Sequence, residues 1–184
     1  MLNYGEEIAY WYLRFNGFFL IDNFVVHKSD NVEYSSDVDL LALRLPYVYE
    51  KVGGQSNDWD AVFFKPFNKE LPIGILCEVK TGNFENCDLF KPDNVSYAVG
   101  RFGFTPDVEV LVPLVQRNAI TTGSGFQIAK VLFSKKPPQK SDRFFHFPII
   151  HLQEFLQDRI RKYNEKHRDR MFFSSNLIQY LTDV

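Results

Sequence analysis

LCEVKTG, residues 76–82, sets a glutamate and a lysine two positions apart at the end of an apolar stretch, IGILCEVK (73–80). The stretch reads as a strand, and side chains alternate across a strand. Ile75, Cys77 and Val79 then point to one face, and Leu76, Glu78 and Lys80 to the other. Burying charge is costly unless the charge is paired or binds a metal. One face therefore packs on a core while the other presents a carboxylate beside an ammonium.

Working outward, YSSDVDLLALRL (34–45) reads as a second strand. The same alternation puts Asp37 and Asp39 on one face and Val38 and Leu40 on the other. Asp39 leads into LLAL and is the deeper of the two acids; Asp37 is farther out and wetter. Upstream, GEEIAYWYLRFN (5–16) reads as a helix that stops at Gly17, a common C-terminal signal. Ile8, Trp11, Tyr12 and Phe15 form its apolar face. Glu7 shares the polar arc with Asn3 and Arg14, whereas Glu6 lies in line with Ala9, Tyr10 and Leu13 on a mostly buried flank. Clustered carboxylates bind a hard divalent ion such as Mg2+ through oxygen. Such an ion polarises a phosphoryl oxygen and lowers the pKa of a bound water. A lysine beside it can hold or deprotonate the attacking water and offset charge on the phosphorane. Glu-x-Lys alone better suits a plain surface salt bridge. All the elements together, in this order, point to a nuclease-type site.

The pattern resembles the PD-(D/E)xK nuclease superfamily, with its restriction-endonuclease-like fold, over about residues 4–82. GEEIAYWYLRFNGFFLIDNF, DVDLLAL and CEVKTG are most similar to small endonucleases related to archaeal Holliday-junction resolvases. The resemblance implies that Asp39 and Glu78 bind Mg2+, with Mn2+ able to substitute. It implies that Lys80 positions the nucleophilic water and that Glu6 orients a metal-bound water or completes the shell. It also implies DNA as the substrate and a homodimer. Val38 stands where the motif's name has proline. Residues 46–71 intervene where these relatives have a tight hairpin, and the resemblance ends at residue 82. The alternative is a catalytically silent module of the same fold that binds DNA or a protein partner in a defence or recombination system. The modest net charge favours that alternative, and intact Asp39, Glu78 and Lys80 oppose it.

The 184 residues suffice for one domain with a full core. No run of about 18 apolar residues occurs, so no membrane span is expected. MLNYGEEIAYW lacks a basic segment followed by an apolar one and does not read as a secretory signal. Cys77 and Cys87 form neither a disulfide framework nor a zinc site, and a cytoplasmic protein is expected. Net charge is −2, but residues 1–129 carry −7 and residues 130–170 carry +6. On the helix expected over 152–168, Lys162 and Lys166, with Arg170 just past it, follow i, i+4, i+8 and are candidates for a DNA-backbone track. An ordinary solvated helix of mixed charge is the competing reading.

The whole chain reads as a single α/β domain with a mixed central sheet flanked by helices. Residues 46–71 read as an inserted excursion, within which WDAVFF (59–64) could be a strand, and the chain is helical from about 152. A short helix capped by Asp93 or Asn94 is expected to reach Phe102, and 108–115 and 126–133 read as strands. The loops at 53–58 and 121–125 read as turns. Ser174 or Ser175 is expected to cap a last helix through Leu181. His146 and His151 suit packing or surface roles, as do Phe144, Phe145 and Phe147 the core.

Overall fold

The strand expected at 73–80 lies at the middle of a six-stranded mixed sheet in the computed structural model, which describes residues 3–27, 34–168, 173 and 175–183. Helix α1 (Tyr4–Phe15) leads into the antiparallel strands β1 (Phe19–His27) and β2 (Tyr34–Arg44), and β2 pairs antiparallel with β3 (Ile73–Lys80). The remaining strands are β4 (Ile120–Gly123), β5 (Phe126–Ser134) and β6 (Phe145–Pro148). β5 runs parallel to β3 on one side. Its other edge is shared, with β4 along Phe126–Ala129 and β6 along Val131–Ser134. Covered on both edges and both faces, every residue of β5 is buried.

The helices are α2 (Ala61–Phe64), α3 (Pro92–Phe102), α4 (Val108–Arg117), α5 (Ile149–Lys162), α6 (Asn164–His167) and α7 (Asn176–Asp183). Under α1 and α5, Ile75, Cys77 and Val79 join Leu40, Val131 and Phe133 in the larger core cluster, with Tyr12, Leu152 and Leu156 above them. Each fully buried leucine there contributes roughly 1.5–3 kcal/mol. Under α3 and α4, Leu41, Leu76 and Ile128 meet Val95, Ala98, Leu111 and Val115. Glu78 and Lys80 thus come off a strand that both layers hold rigidly. Among the described residues no helix is long and apolar enough to cross a membrane.

Several expectations are corrected. Residues 108–115 form α4, not a strand. Its buried pair, Leu111 and Val115, is four apart, while Val110 and Leu114 are exposed. Pro113 removes one intrahelical hydrogen bond, but on a face where Glu109 and Val110 already meet solvent. WDAVFF holds the short helix α2, whose first N–H groups are taken by the Asp60 carboxylate. α3 starts at Pro92 without a side-chain cap, and Asn94 sits inside it, donating from Nδ2 to the Asp37 carbonyl at 2.7 Å. β4 and β6 were not expected, and α5 begins at Ile149 and ends at Lys162. Ser174 lies outside the described residues.

Candidate active site

The β2–β3 ladder runs as far as Leu40 opposite Cys77. Beyond that pair, the Asp39 carboxylate takes over a ladder position: Oδ2 accepts the Val79 N–H at 2.6 Å. A backbone donor is satisfied by a side chain instead of by the neighbouring strand. The alternation expected for β2 slips here. Val38 packs with Leu41, Leu76 and Val95, while Leu40 faces the α1 layer. Val38 and Leu40 therefore do not share a face, contrary to the simple strand reading.

Glu78 and Lys80 do share one, as their spacing requires. Lys80 Nζ lies 2.7 Å from Glu78 Oε2 and 3.3 Å from Asp39 Oδ2. Glu78 also accepts the Phe90 N–H at 3.4 Å through Oε1. Glu78 is 5% exposed, while the Lys80 side chain is 27% exposed, so the cluster meets solvent through the lysine. Burial raises the Glu78 carboxyl above the ordinary glutamate value, and Lys80 only partly offsets this. Burial works against the Lys80 ammonium, but Glu78 and Asp39 outweigh it and raise its pKa. The Cys77 thiol on the opposite face is pushed well up by its full burial and stays an inert core group.

Two left-handed backbone positions lie near the same spot. Among the described residues, Asn23 and Phe90 are the two non-glycine residues with positive φ, at 48° and 51°. Asn23 lies opposite Asp39 in the β1–β2 register, between the pairs Asp22–Leu40 and Phe24–Val38. Phe90 is the residue whose N–H reaches Glu78. For a bulky aromatic residue the left-handed region is strained, and such strain clusters at functional sites.

Glu6 is brought to the end of β3 but engaged otherwise. Gly5 fits so closely against Thr81 that a Cβ there would stand 2.5 Å from Thr81 Cγ2. The Glu6 carboxylate accepts the Asn3 N–H at 3.0 Å and also the Asn3 side-chain amide, and the Asn3 side chain accepts the Gly5 and Glu6 N–H groups. This reciprocal cap accounts for the half-buried position of the glutamate. Glu7 accepts a 2.6 Å hydrogen bond from Ser175.

Comparison with protein-family models, curated proteins and solved structures finds no match.

Among the described residues no group of three or more His, Cys, Asp or Glu side chains is arranged to hold a metal ion. Asp39 and Glu78 supply two oxygen donors. That suits Mg2+, which keeps several waters and often takes only one or two carboxylates together with substrate phosphate.

The basic segment is largely paired within the chain. Arg159 is buried and donates to the carbonyls of Asp58, Gly53 and Phe15. Lys162 reaches Asp58 at 2.8 Å, and Lys166 contacts Glu50 and the Val52 carbonyl. The excursion at 46–71 thus brings acids onto the basic helix, and Arg159 does not join a solvent-facing row. Burial would raise the Asp58 carboxyl, but hydrogen bonds from Lys162 and Tyr163 hold it down at about 2. Arg170 lies outside the described residues.

His146 and His151 are positioned by packing, as expected. His151 Nε2 is 2.6 Å from Asp60, which also accepts the Tyr12 hydroxyl, and His146 Nε2 is 2.9 Å from Ser134 Oγ. Lys130 and Phe90 were not singled out in the sequence. The signal that marks Lys80, a lysine inside an apolar strand, is equally present for Lys130 in FQIAKVLF (126–133).

Proposed function

We propose that the chain is a Mg2+-dependent DNA phosphodiesterase of the PD-(D/E)xK type. One observation carries this reading: Lys80 Nζ within 3.3 Å of two carboxylates from adjacent strands, at a point where the pairing of those strands gives way. Restriction-endonuclease-like topology is part of the proposal, and the mixed sheet flanked by helices is compatible with it. Asp39 and Glu78 are the residues that would hold the ion, which supplies Lewis-acid polarisation of a phosphoryl oxygen. The strained Phe90 backbone presents its N–H to the Glu78 carboxylate. Lys80 remains an ammonium at neutral pH because the two carboxylates hold it so. Beside the ion it would donate a hydrogen bond to the attacking water and offset charge on the phosphorane. Preorganised charge of this kind is worth more in a partly dry site than in water.

A second reading has its own observation. Lys80 already pairs with both acids, and Lys162 and Lys166 are paired internally, which suits a silent binding module. A cleavage panel decides between them: single strands, duplexes, flaps and four-way junctions, each with Mg2+ and with chelator. Metal-dependent cleavage of any member supports the nuclease. Binding without cleavage across the panel supports the module.

A further inference from the structure

A cluster of cations lies beside the same sheet face, farther back along β5. Lys130 pairs with Leu76 in the β3–β5 register, and the residue is 2% exposed. Its Nζ donates to the Gln116 carbonyl at 2.7 Å and lies 5.7 Å from the centre of the Phe90 ring. A lysine ammonium has three N–H donors, and a neutral carbonyl and a ring do not cancel its charge. Burial and the like charge of Arg143 bring its pKa down to about 8. A buried cation without a compensating anion is costly, and folds seldom keep one without a use.

Lys130 lines a cavity of about 340 Å³, together with Lys140, Arg143, Ser141, Asn86 and Gln116. The lining carries three cations and no carboxylate. Two contacts clasp the loops around it: Asn86 Nδ2 donates to the Gln139 carbonyl at 2.9 Å, and Lys136 Nζ to Asn83 Oδ1 at 2.6 Å. The cavity is thus built from strand, helix end and clasped loops, not from a chance patch of surface lysines.

We propose that this cavity binds the phosphoryl group of a nucleotide, with Lys130 at its floor and Lys140, Arg143 and Ser141 around the group. A phosphate dianion offers oxygens to all three cations at once, and arginine forks onto such oxygens in a charge-assisted pair. The volume exceeds what a bare phosphate needs and lies in the range of about 300–1,000 Å³ for small-molecule sites, which leaves room for the attached sugar. Phe90 links this cavity to the acid cluster, since its ring faces Lys130 and its N–H reaches Glu78. The inference does not depend on nuclease activity.

The test is calorimetry on the full chain in chelator and low salt. The titrants are inorganic phosphate, a nucleoside 5′-monophosphate, the parent nucleoside, and an oligonucleotide with a 5′-phosphate or a 5′-hydroxyl. The monophosphate should bind at least tenfold more tightly than the nucleoside, and the phosphorylated oligonucleotide more tightly than its hydroxyl counterpart if strand ends are the source. Lys140→Ala with Arg143→Ala, both at exposed positions, should weaken monophosphate binding at least tenfold, and so should Lys130→Met. Equal binding of nucleoside and monophosphate, or unchanged monophosphate binding in the Lys140/Arg143 double variant, would overturn the proposal. Because binding is read without divalent metal, its failure and a failure to cleave DNA are separate results.

Discussion

Replacing Lys80 by methionine removes the one cation between Glu78 and Asp39 while keeping most of the side-chain volume. Truncating one partner of a buried ion pair typically costs about 3–5 kcal/mol, because the remaining charge is left uncompensated. Here the lower end applies. The Lys80 side chain is 27% exposed, Asp39 keeps the Val79 N–H and Glu78 keeps the Phe90 N–H. The expected loss is therefore about 3 kcal/mol at pH 8 in chelator, measured by urea denaturation followed through Trp11 and Trp59 fluorescence. The loss must also depend on pH. Without Lys80 the folded-state pKa of Glu78, already raised, rises further above its unfolded value. A carboxyl with a raised folded pKa favours the folded state below its unfolded pKa, and that advantage disappears as pH rises through the folded value. The variant should therefore lie closer to the parent at pH 5 than at pH 8. Saturating Mg2+ at about 100 times its Kd should return about 2.7 kcal/mol to the variant. A loss below about 1 kcal/mol at pH 8, or the same loss at both pH values, would refute the account of how the two acids are held.

Glu6→Gln tests whether the cap is the whole role of Glu6. Glutamine also serves in this cap, so stability should stay within about 0.5 kcal/mol of the parent. Cleavage should stay within about twofold, and a tenfold fall at unchanged stability would return Glu6 to the active site. Replacing Lys162 and Lys166 together by alanine should leave the salt dependence of DNA binding unchanged, since both are tied to Glu50 and Asp58. Flattening of the log–log slope by about 1.8, two contacts' worth, would show that they meet phosphate instead. His167 is buried against Phe15 and Phe173, and burial brings its pKa down to about 4. The unfolded chain binds that proton from about pH 6.5, so stability should fall between there and pH 4, by up to about 3 kcal/mol. His167→Leu should remove that part of the pH dependence in denaturation curves, and an unchanged curve would contradict it.

The parts of the fold that could be read in the sequence were those whose signal is local. IGILCEVK matches β3 residue for residue because an apolar alternating run needs no distant information to be a strand. The helix at Tyr4–Phe15 was legible from its apolar stripe and from the glycine that ends it, where Gly17 takes φ +84°. VEVLVPLV misled because its valines favour strands and its proline suggests an edge. What decides for a helix is the sheet surface that Leu111 and Val115 cover. The short strands β4 and β6 draw their order from β5 rather than from their own sequences. At the site, Glu78 and Lys80 were legible from spacing alone. The slip at Asp39 was not, because it arises when a side chain replaces a strand in the ladder. The pairing of Lys162 with Asp58, across 104 positions, could not be anticipated from helical periodicity.

The most direct test of the nuclease reading is metal-dependent cleavage by the parent and by Asp39→Asn, which removes an anionic oxygen ligand at nearly constant volume. End-labelled DNA from the cleavage panel would be incubated with Mg2+ and, in parallel, with chelator. The account predicts cleavage by the parent with Mg2+ only, and a loss of at least a hundredfold in Asp39→Asn with the fold intact by circular dichroism. Cleavage by Asp39→Asn at the parental rate, or by the parent in chelator, would contradict it.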